Sequence, residues 1–270
     1  MASISEQGIR ACLPKVNTVG GRIDCFDCID STNAYLKRIA SDGAPDGTVA
    51  VAAEQTAGRG RRGRVCQSAA GKGGYLSILL RPQFAADALM PLTGLCAVAM
   101  CDAVERVCGV RPQIKWTNDL LLDGKKLGGI LTELGMESGT LSYVIVGIGV
   151  NVSQRKEDFD GEVRDLATSL EQAFGREVSK DTLAAAMIAA LDTLYDDLRH
   201  GNTAGYVERY RRDCVTLGKE VQLLWQDVHE KVFALDVDEQ FGLVVRREDG
   251  KIETVRTGEV SVRGLYGYVN

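Results

Sequence analysis

Histidine is nearly absent from this 270-residue chain, which has only His200 and His229. Both lie far from Cys25 and Cys28, the one cysteine pair with CxxC spacing. A zinc site needs a second such pair or nearby histidines, so none is expected. Arg22–Asp30 alternates like a strand, and its two thiols read as ordinary strand residues. The N-terminal MASISEQGIRACLPK lacks a basic stretch followed by an apolar core, so no secretory signal is expected. Eight cysteines without export suit a reducing, cytoplasmic setting and free thiols. An excess of positive charge is missing too. The net charge is −5, whereas a nucleic-acid-binding domain is usually basic, so no nucleic-acid partner is expected. No apolar run approaches the roughly 20 residues of a membrane span. Leu92–Cys101 stops at Asp102, and Leu141–Val152 is short and broken by glycines. Internal repeats, low-complexity tracts and heptads are also lacking.

What is present is the composition of a globular protein, 45% hydrophobic and 26% charged. The length suits one large domain, or a large one and a small one. Arg22–Asp30 reads as a strand. Ser31-Thr32-Asn33 caps a helix over Ala34–Ile39, which Gly43 and Pro45 end. Gly47–Ala53 and Tyr75–Leu80 are strands, and Leu89–Val107 is a helix. A β-rich block follows: Gln113–Trp116, Leu120–Leu122, a hairpin turn at Asp123-Gly124, then Leu127–Leu134 and Leu141–Val150. Asp165–Phe174, Thr182–Leu198 and Tyr206–Arg212 read as helices. Leu183, Met187, Leu191, Leu194 and Leu198 form one apolar stripe on the second of them. A boundary falls near Val215. Beyond it Val221–Trp225, Val232–Val237, Leu243–Arg246, Ile252–Arg256 and Ser261–Arg263 are short strands at close spacing, as in a small β-barrel.

Three segments carry chemistry. Gly58-Arg59-Gly60-Arg61-Arg62-Gly63-Arg64 crowds four arginines into one loop of an acidic protein. Its glycines let backbone N–H groups approach an anion closely, and arginine forks bind phosphate and carboxylate. The loop lacks both the Gly-Lys-Ser/Thr ending of a P-loop and the spacing of a dinucleotide fingerprint. The second segment is Lys115-Trp116-Thr117-Asn118-Asp119 with Lys125-Lys126-Leu127-Gly128-Gly129-Ile130-Leu131. It reads either as a charged hairpin or as a cluster of cation, amide and carboxylate near strand ends. The third, Gly147-Ile148-Gly149-Val150-Asn151, leaves room for a flat ligand and ends on an amide that can both donate and accept.

Together these residues resemble the biotin protein ligases, which join biotin to a lysine of a carrier protein. The family pattern is Ser-Thr-Asn, Gln before GRGRRGR, a KWPND-like segment, KxxGIL and GxGxN. Here it reads Ser31-Thr32-Asn33, Gln55, Gly58–Arg64, Lys115–Asp119, Lys126–Leu131 and Gly147–Asn151, in the same order. Gly258–Arg263 also resembles the family's ending. The resemblance implies an α+β architecture: a catalytic domain of mixed sheet and helices over residues 1–215, then an SH3-like barrel over 216–270. It implies two steps, formation of biotinyl-5′-AMP from biotin and ATP, then transfer to a lysine of biotin carboxyl carrier protein.

By the same resemblance, Ser31, Thr32, Asn33, Gln55 and Tyr75 belong to the biotin pocket. Arg59, Arg61, Lys126 and Leu131 join them, with backbone at Gly58, Gly129 and Gly147. ATP falls to Arg59, Arg61, Arg62, Arg64, Lys115, Asn118, Lys126 and Arg263, with Asn151 at adenine. Lys126 bridges the biotin carboxylate and the α-phosphate, Arg61 is catalytic, and Asp119 orients the incoming lysine. Two unit charges about 4 Å apart repel by about 1 kcal/mol in water and about 4 at an effective dielectric of about 20. Arg59, Arg61, Arg62, Lys126 and Mg²⁺ offset that repulsion. No protein metal ligand and no catalytic cysteine is needed. Two positions depart from the family. Cys66 replaces a Trp placed to stack on adenine, with Trp116 a candidate substitute, and Thr117 replaces the proline of KWPND. Lipoate ligases share the fold, so a lipoate-protein ligase is the alternative enzyme. Some family members are biotin-sensing DNA-binding repressors with an N-terminal winged helix. The 21 residues before Arg22 are too few for such a domain, which sets that reading lower. The sequence leaves open whether the chain is a monomer or a homodimer.

Overall fold

The computed structural model describes residues 4–60, 70–82, 89, 91–137, 139–159, 161, 163–225, 228–256 and 261–264. After α1 (Glu6–Cys12) come β1 (Ile23–Ile29), α2 (Thr32–Ser41), β2 (Thr48–Gln55), β3 (Gly73–Leu80) and α3 (Leu92–Cys108). Then follow β4 (Gln113–Lys115), β5 (Asp119–Leu122), β6 (Lys125–Glu137) and β7 (Thr140–Asn151). Helices α4 (Val163–Leu166), α5 (Leu170–Phe174), α6 (Lys180–His200) and α7 (Ala204–Asp213) complete this part. The last strands are β8 (Lys219–Trp225), β9 (Val228–Val237), β10 (Leu243–Arg246), β11 (Ile252–Val255) and β12 (Ser261–Gly264).

The first seven strands form one mixed sheet in the order β1-β2-β3-β7-β6-β5-β4. Only the β1–β2 pair is parallel, and α2 provides its crossover. Strands β2 and β3 are buried almost throughout, as their unbroken apolar runs require when both faces are covered. One face carries Leu76, Ile78, Val144, Val146, Ile148 and Val150, which join the core under α3 and α6. On the other face, α2 lays Leu36 and Ala40 over Ala50, Leu79 and Ile145. The stripe on α6 is core, as its spacing implies. Asp192 on that helix accepts backbone N–H bonds from Asn17, Thr18 and Val19 at 2.7–2.8 Å, tying down the segment after α1.

The second sheet is antiparallel throughout, ordered β11-β10-β9-β8-β12, and matches the small SH3-like arrangement expected. Its core is continuous with the first. Phe241 packs over Gly94 of α3, where a Cβ would come within 2.4 Å of the ring. Phe241 also meets Tyr210 edge-on with ring centroids 4.9 Å apart.

Two differences from the sequence reading stand out. Helix α1 is additional; its Ser5 cap accepts from Gly8 N. The helix expected over Asp165–Phe174 is two short helices. Ala167 bridges Lys126, and Thr168 N donates to the Lys126 carbonyl at 2.9 Å. Ser169 then starts α5 by accepting from Gln172 N. Pairing with a distant strand overrides the local helical pattern.

Candidate active site

Cross-strand register aligns Ala52, Tyr75, Gly149, Gly129, Asp119 and Lys115 in one row across β2, β3, β7, β6, β5 and β4. Residues paired in this way share a face of the sheet. The next row on that face is Ala50, Ser77, Gly147 and Leu131. This is the α2 face, and α2 covers only part of it. Beyond the helix the floor is glycine. Gly129 and Gly149 are half-buried, and a Cβ at Gly149 would lie 3.6 Å from the Tyr75 ring. The Tyr75 ring also lies against Gly73, where a Cβ would come within 2.3 Å of it. The surface is flat and shallow because side chains are missing where they would fill it.

A buried polar cluster stands where the N-terminus of α2 meets this floor. Ser31 caps the helix, accepting from Ala34 N at 3.4 Å. Gln55 Oε1 accepts from Thr32 N at 2.7 Å and from Thr32 Oγ1 at 3.0 Å. Thr32 Oγ1 lies 2.7 Å from Ser77 Oγ, which donates to Asn33 Oδ1 at 2.6 Å. Asn33 Nδ2 donates to Glu133 Oε2 at 2.7 Å, and Lys37 Nζ pairs with Glu133 Oε1 at 2.6 Å. Gly147 makes room for this: a Cβ there would sit 2.1 Å from Asn33 Oδ1. Burial pushes the Glu133 carboxyl up, but hydrogen bonds from Lys37 and Asn33, helped by the charge of Arg59, leave it below its ordinary value.

The other end of the floor is ionic. A β-bulge between β5 and β6 pairs Leu120 with Gly128 but Leu121 with Lys126, skipping Leu127. In regular pairing Lys126 would face Leu122 and point into the core. The bulge turns it onto the face of Asp119, where Lys126 Nζ meets Asp119 Oδ1 at 2.7 Å. Gly129 stands beside the pair; a Cβ there would lie 3.3 Å from Asp119 Oδ1. Asn118 Nδ2 donates to the Ile130 carbonyl at 3.0 Å and so locks its turn to β6. Lys115 is buried at the end of the row. Asn151 Nδ2 donates to the Thr168 carbonyl at 2.9 Å, and its Oδ1 accepts from Gln154 at 3.2 Å. Its amide thus binds the break between α4 and α5 to the end of β7.

Of the arginine loop, Gly58 is buried and Arg59 exposed at the end of β2. Arg61, Arg62, Arg64 and Cys66 lie outside the described residues, and Arg263 sits on β12 opposite Gln222. Trp116 is not available as an adenine-stacking substitute. It is 4% exposed and its indole N–H donates to the Phe241 carbonyl at 2.8 Å, so it anchors the second sheet. Cys25 and Cys28 lie on β1 as free thiols, and burial pushes the Cys25 thiol up to about 11. Sequence reasoning missed Ser77 and Glu133. Ser77 had a faint mark in the sequence, a hydroxyl in an apolar run; Glu133 lies on a strand only partly buried and had none.

Comparison with known proteins bears on this arrangement. The profile of the biotin/lipoate A/B protein ligase family matches residues 25–151. The chain is 40% identical over 201 residues to the bifunctional ligase/repressor BirA of Bacillus subtilis, covering 74% of this chain and 62% of that protein. The chain thus spans less than two thirds of that relative's length. It is 31% identical over 266 residues to the biotin--[acetyl-CoA-carboxylase] ligase of Mycobacterium tuberculosis, covering 95% of each. Its fold is similar to that of the Aquifex aeolicus biotin protein ligase in complex with biotin and ATP. The TM-score is 0.77 at 28% identity, covering 90% of this chain and 99% of that one.

Proposed function

This chain belongs to the biotin/lipoate A/B protein ligase family, and we propose that it is a biotin protein ligase. The observation that carries the reading is the layout of the glycine floor. A buried cluster of hydroxyls and amides lies at one end, Lys126 with Asp119 lies at the other, and Gly149, Gly147 and the Tyr75 ring lie between. Biotin has the same order: a ureido group that both donates and accepts, an apolar middle and a carboxylate. A dithiolane offers no such polar head, which sets lipoate second.

In the first step a biotin carboxylate oxygen attacks the α-phosphorus of ATP. The bond from that phosphorus to the bridging oxygen breaks, and pyrophosphate leaves with its electron pair. Lys126 faces both anions from the floor and offsets their mutual repulsion. Arg59, Arg61, Arg62 and Arg64 serve the triphosphate, joined by Lys115, Asn118 and Arg263. Mg²⁺ accompanies ATP as the counter-ion of the phosphates. Asn151 serves adenine beside the break between α4 and α5. In the second step the neutral amine of an acceptor lysine attacks the acyl carbon of biotinyl-5′-AMP. The bond from carbon to the AMP oxygen breaks, AMP leaves with its electron pair, and the amine gives up a proton to solvent water. Asp119, already 2.7 Å from the Lys126 ammonium group, orients the acceptor amine. The acceptor is biotin carboxyl carrier protein, and the reaction is cytoplasmic.

Exchange of labelled pyrophosphate into ATP tests the first step. Biotin-dependent exchange is expected; exchange with lipoate in place of biotin would overturn the assignment. Mass gain on a carrier protein lysine then tests the second step.

A further inference from the structure

We propose that Glu133 is a positioning residue that sets the direction of a hydrogen-bond relay, Glu133–Asn33–Ser77–Thr32, so that Thr32 presents an oxygen lone pair to a ligand N–H. The inference rests on the biotin reading above and names what makes the polar end selective.

The direction follows from which atoms can donate. An ionised carboxylate only accepts, so the Asn33 atom 2.7 Å from Glu133 Oε2 is the amide nitrogen. The Asn33 oxygen therefore turns toward Ser77, whose single hydroxyl proton goes to it across 2.6 Å. With that proton committed, Ser77 Oγ can only accept at its 2.7 Å contact with Thr32 Oγ1. The other neighbour of Thr32 Oγ1 also asks for a proton. Gln55 Oε1 accepts from the Thr32 backbone N–H at 2.7 Å, which identifies it as the oxygen of its amide. Both neighbours of the hydroxyl are acceptors competing for its single proton, so what Thr32 offers a ligand are lone pairs.

The anchor of the relay is held firmly. Lys37 lies one turn after Asn33 on α2 and pairs with the second carboxylate oxygen at 2.6 Å. Lys37, Asn33 and Arg59 together keep Glu133 ionised. Thr32, Asn33 and Ser77 are buried at 3%, 5% and 0% exposure, so water does not randomise their protons. A ring bearing N–H groups, such as a cyclic urea, meets an acceptor here. A ring with only sulfur and carbon leaves the lone pair unmet, a loss in a buried site.

The test is kinetic. Pyrophosphate exchange is measured for the unaltered protein, Glu133→Gln, and Glu133→Gln combined with Asn33→Asp. Glutamine can donate, which lets Asn33 turn over and reverses each bond down to Thr32. Biotin KM should rise by roughly tenfold to a hundredfold, while the KM for ATP stays where it was. In the double variant the carboxylate introduced at position 33 can only accept. The amide introduced at position 133 donates to it, Ser77 again donates to it, and biotin KM should return toward the original. A structural role alone would not be rescued by moving the charge one residue along the relay. An unchanged biotin KM in Glu133→Gln would overturn the relay. So would equal rises in both KM values, or a folded double variant no better than the single one. Absence of biotin-dependent exchange in the unaltered protein would instead remove the ligase reading, and the relay with it.

Discussion

The two faces of the seven-stranded sheet are made from alternate residues of the same strands and do opposite things. Along β7, Val144, Val146, Ile148 and Val150 pack under α3 and α6. Between them stand Gly147, which lets Asn33 approach, and Gly149, which leaves the floor of the site beside the Tyr75 ring. Strand β6 repeats the division, with Ile130 in the core and Gly129, Leu131 and Glu133 on the site face. One face gains stability by filling space, and the other gains function by leaving it open. The site lies on a sheet whose opposite face is closely packed, so its geometry is fixed by residues that never meet the ligand.

Breaking the core face should cost the most. Ile148→Ala should destabilise the fold by about 2–5 kcal/mol through a cavity under α3. In the molecules that remain folded, biotin KM should be unaltered. Denaturant unfolding and exchange kinetics on the same sample check both halves.

Removing the cation from the site face should do the reverse. Lys126→Ala should leave unfolding close to that of the unaltered protein and lower adenylate formation by roughly 10²–10³, the range for loss of one preorganised charge-stabilising group. Rapid-quench measurement of biotinyl-5′-AMP reads the effect; an undiminished rate would remove Lys126 from the chemistry.

A smaller effect should come from pH. The depressed carboxyl of Glu133 contributes stability that is complete above the ordinary glutamate value of 4.5 and is lost as pH falls through its lowered value. With Glu133 and Lys37 partly exposed at 22% and 33%, the contribution should be a few tenths to about 1 kcal/mol. Unfolding of the unaltered protein and of Glu133→Gln across that range should converge on acidification. Curves that stay parallel would deny Glu133 the role.

Most elements were legible because their local patterns agree with their tertiary roles. Alternation gave β1, and the Asp123-Gly124 turn gave the β5–β6 hairpin, its residues lying at φ 49° and 72°. Where local pattern and tertiary pairing disagreed, the sequence misled. The break between α4 and α5 is imposed by Lys126, about forty residues away along the chain. The motifs brought Lys126, Asp119 and Gly129 to notice. The bulge that turns Lys126 out of the core is a property of register, which no single residue announces. The relay was least legible, since Ser77 lies 44 residues and Glu133 100 residues from Asn33.

The most direct test of the division between faces is Gly149→Val, titrated with biotin by calorimetry and followed by thermal unfolding. The added side chain would start 3.6 Å from the Tyr75 ring, an ordinary contact, and rise from the middle of the floor. A melting temperature near that of the unaltered protein with biotin binding abolished is the expected result. Biotin binding at full strength in that variant would place the ligand elsewhere and contradict the account.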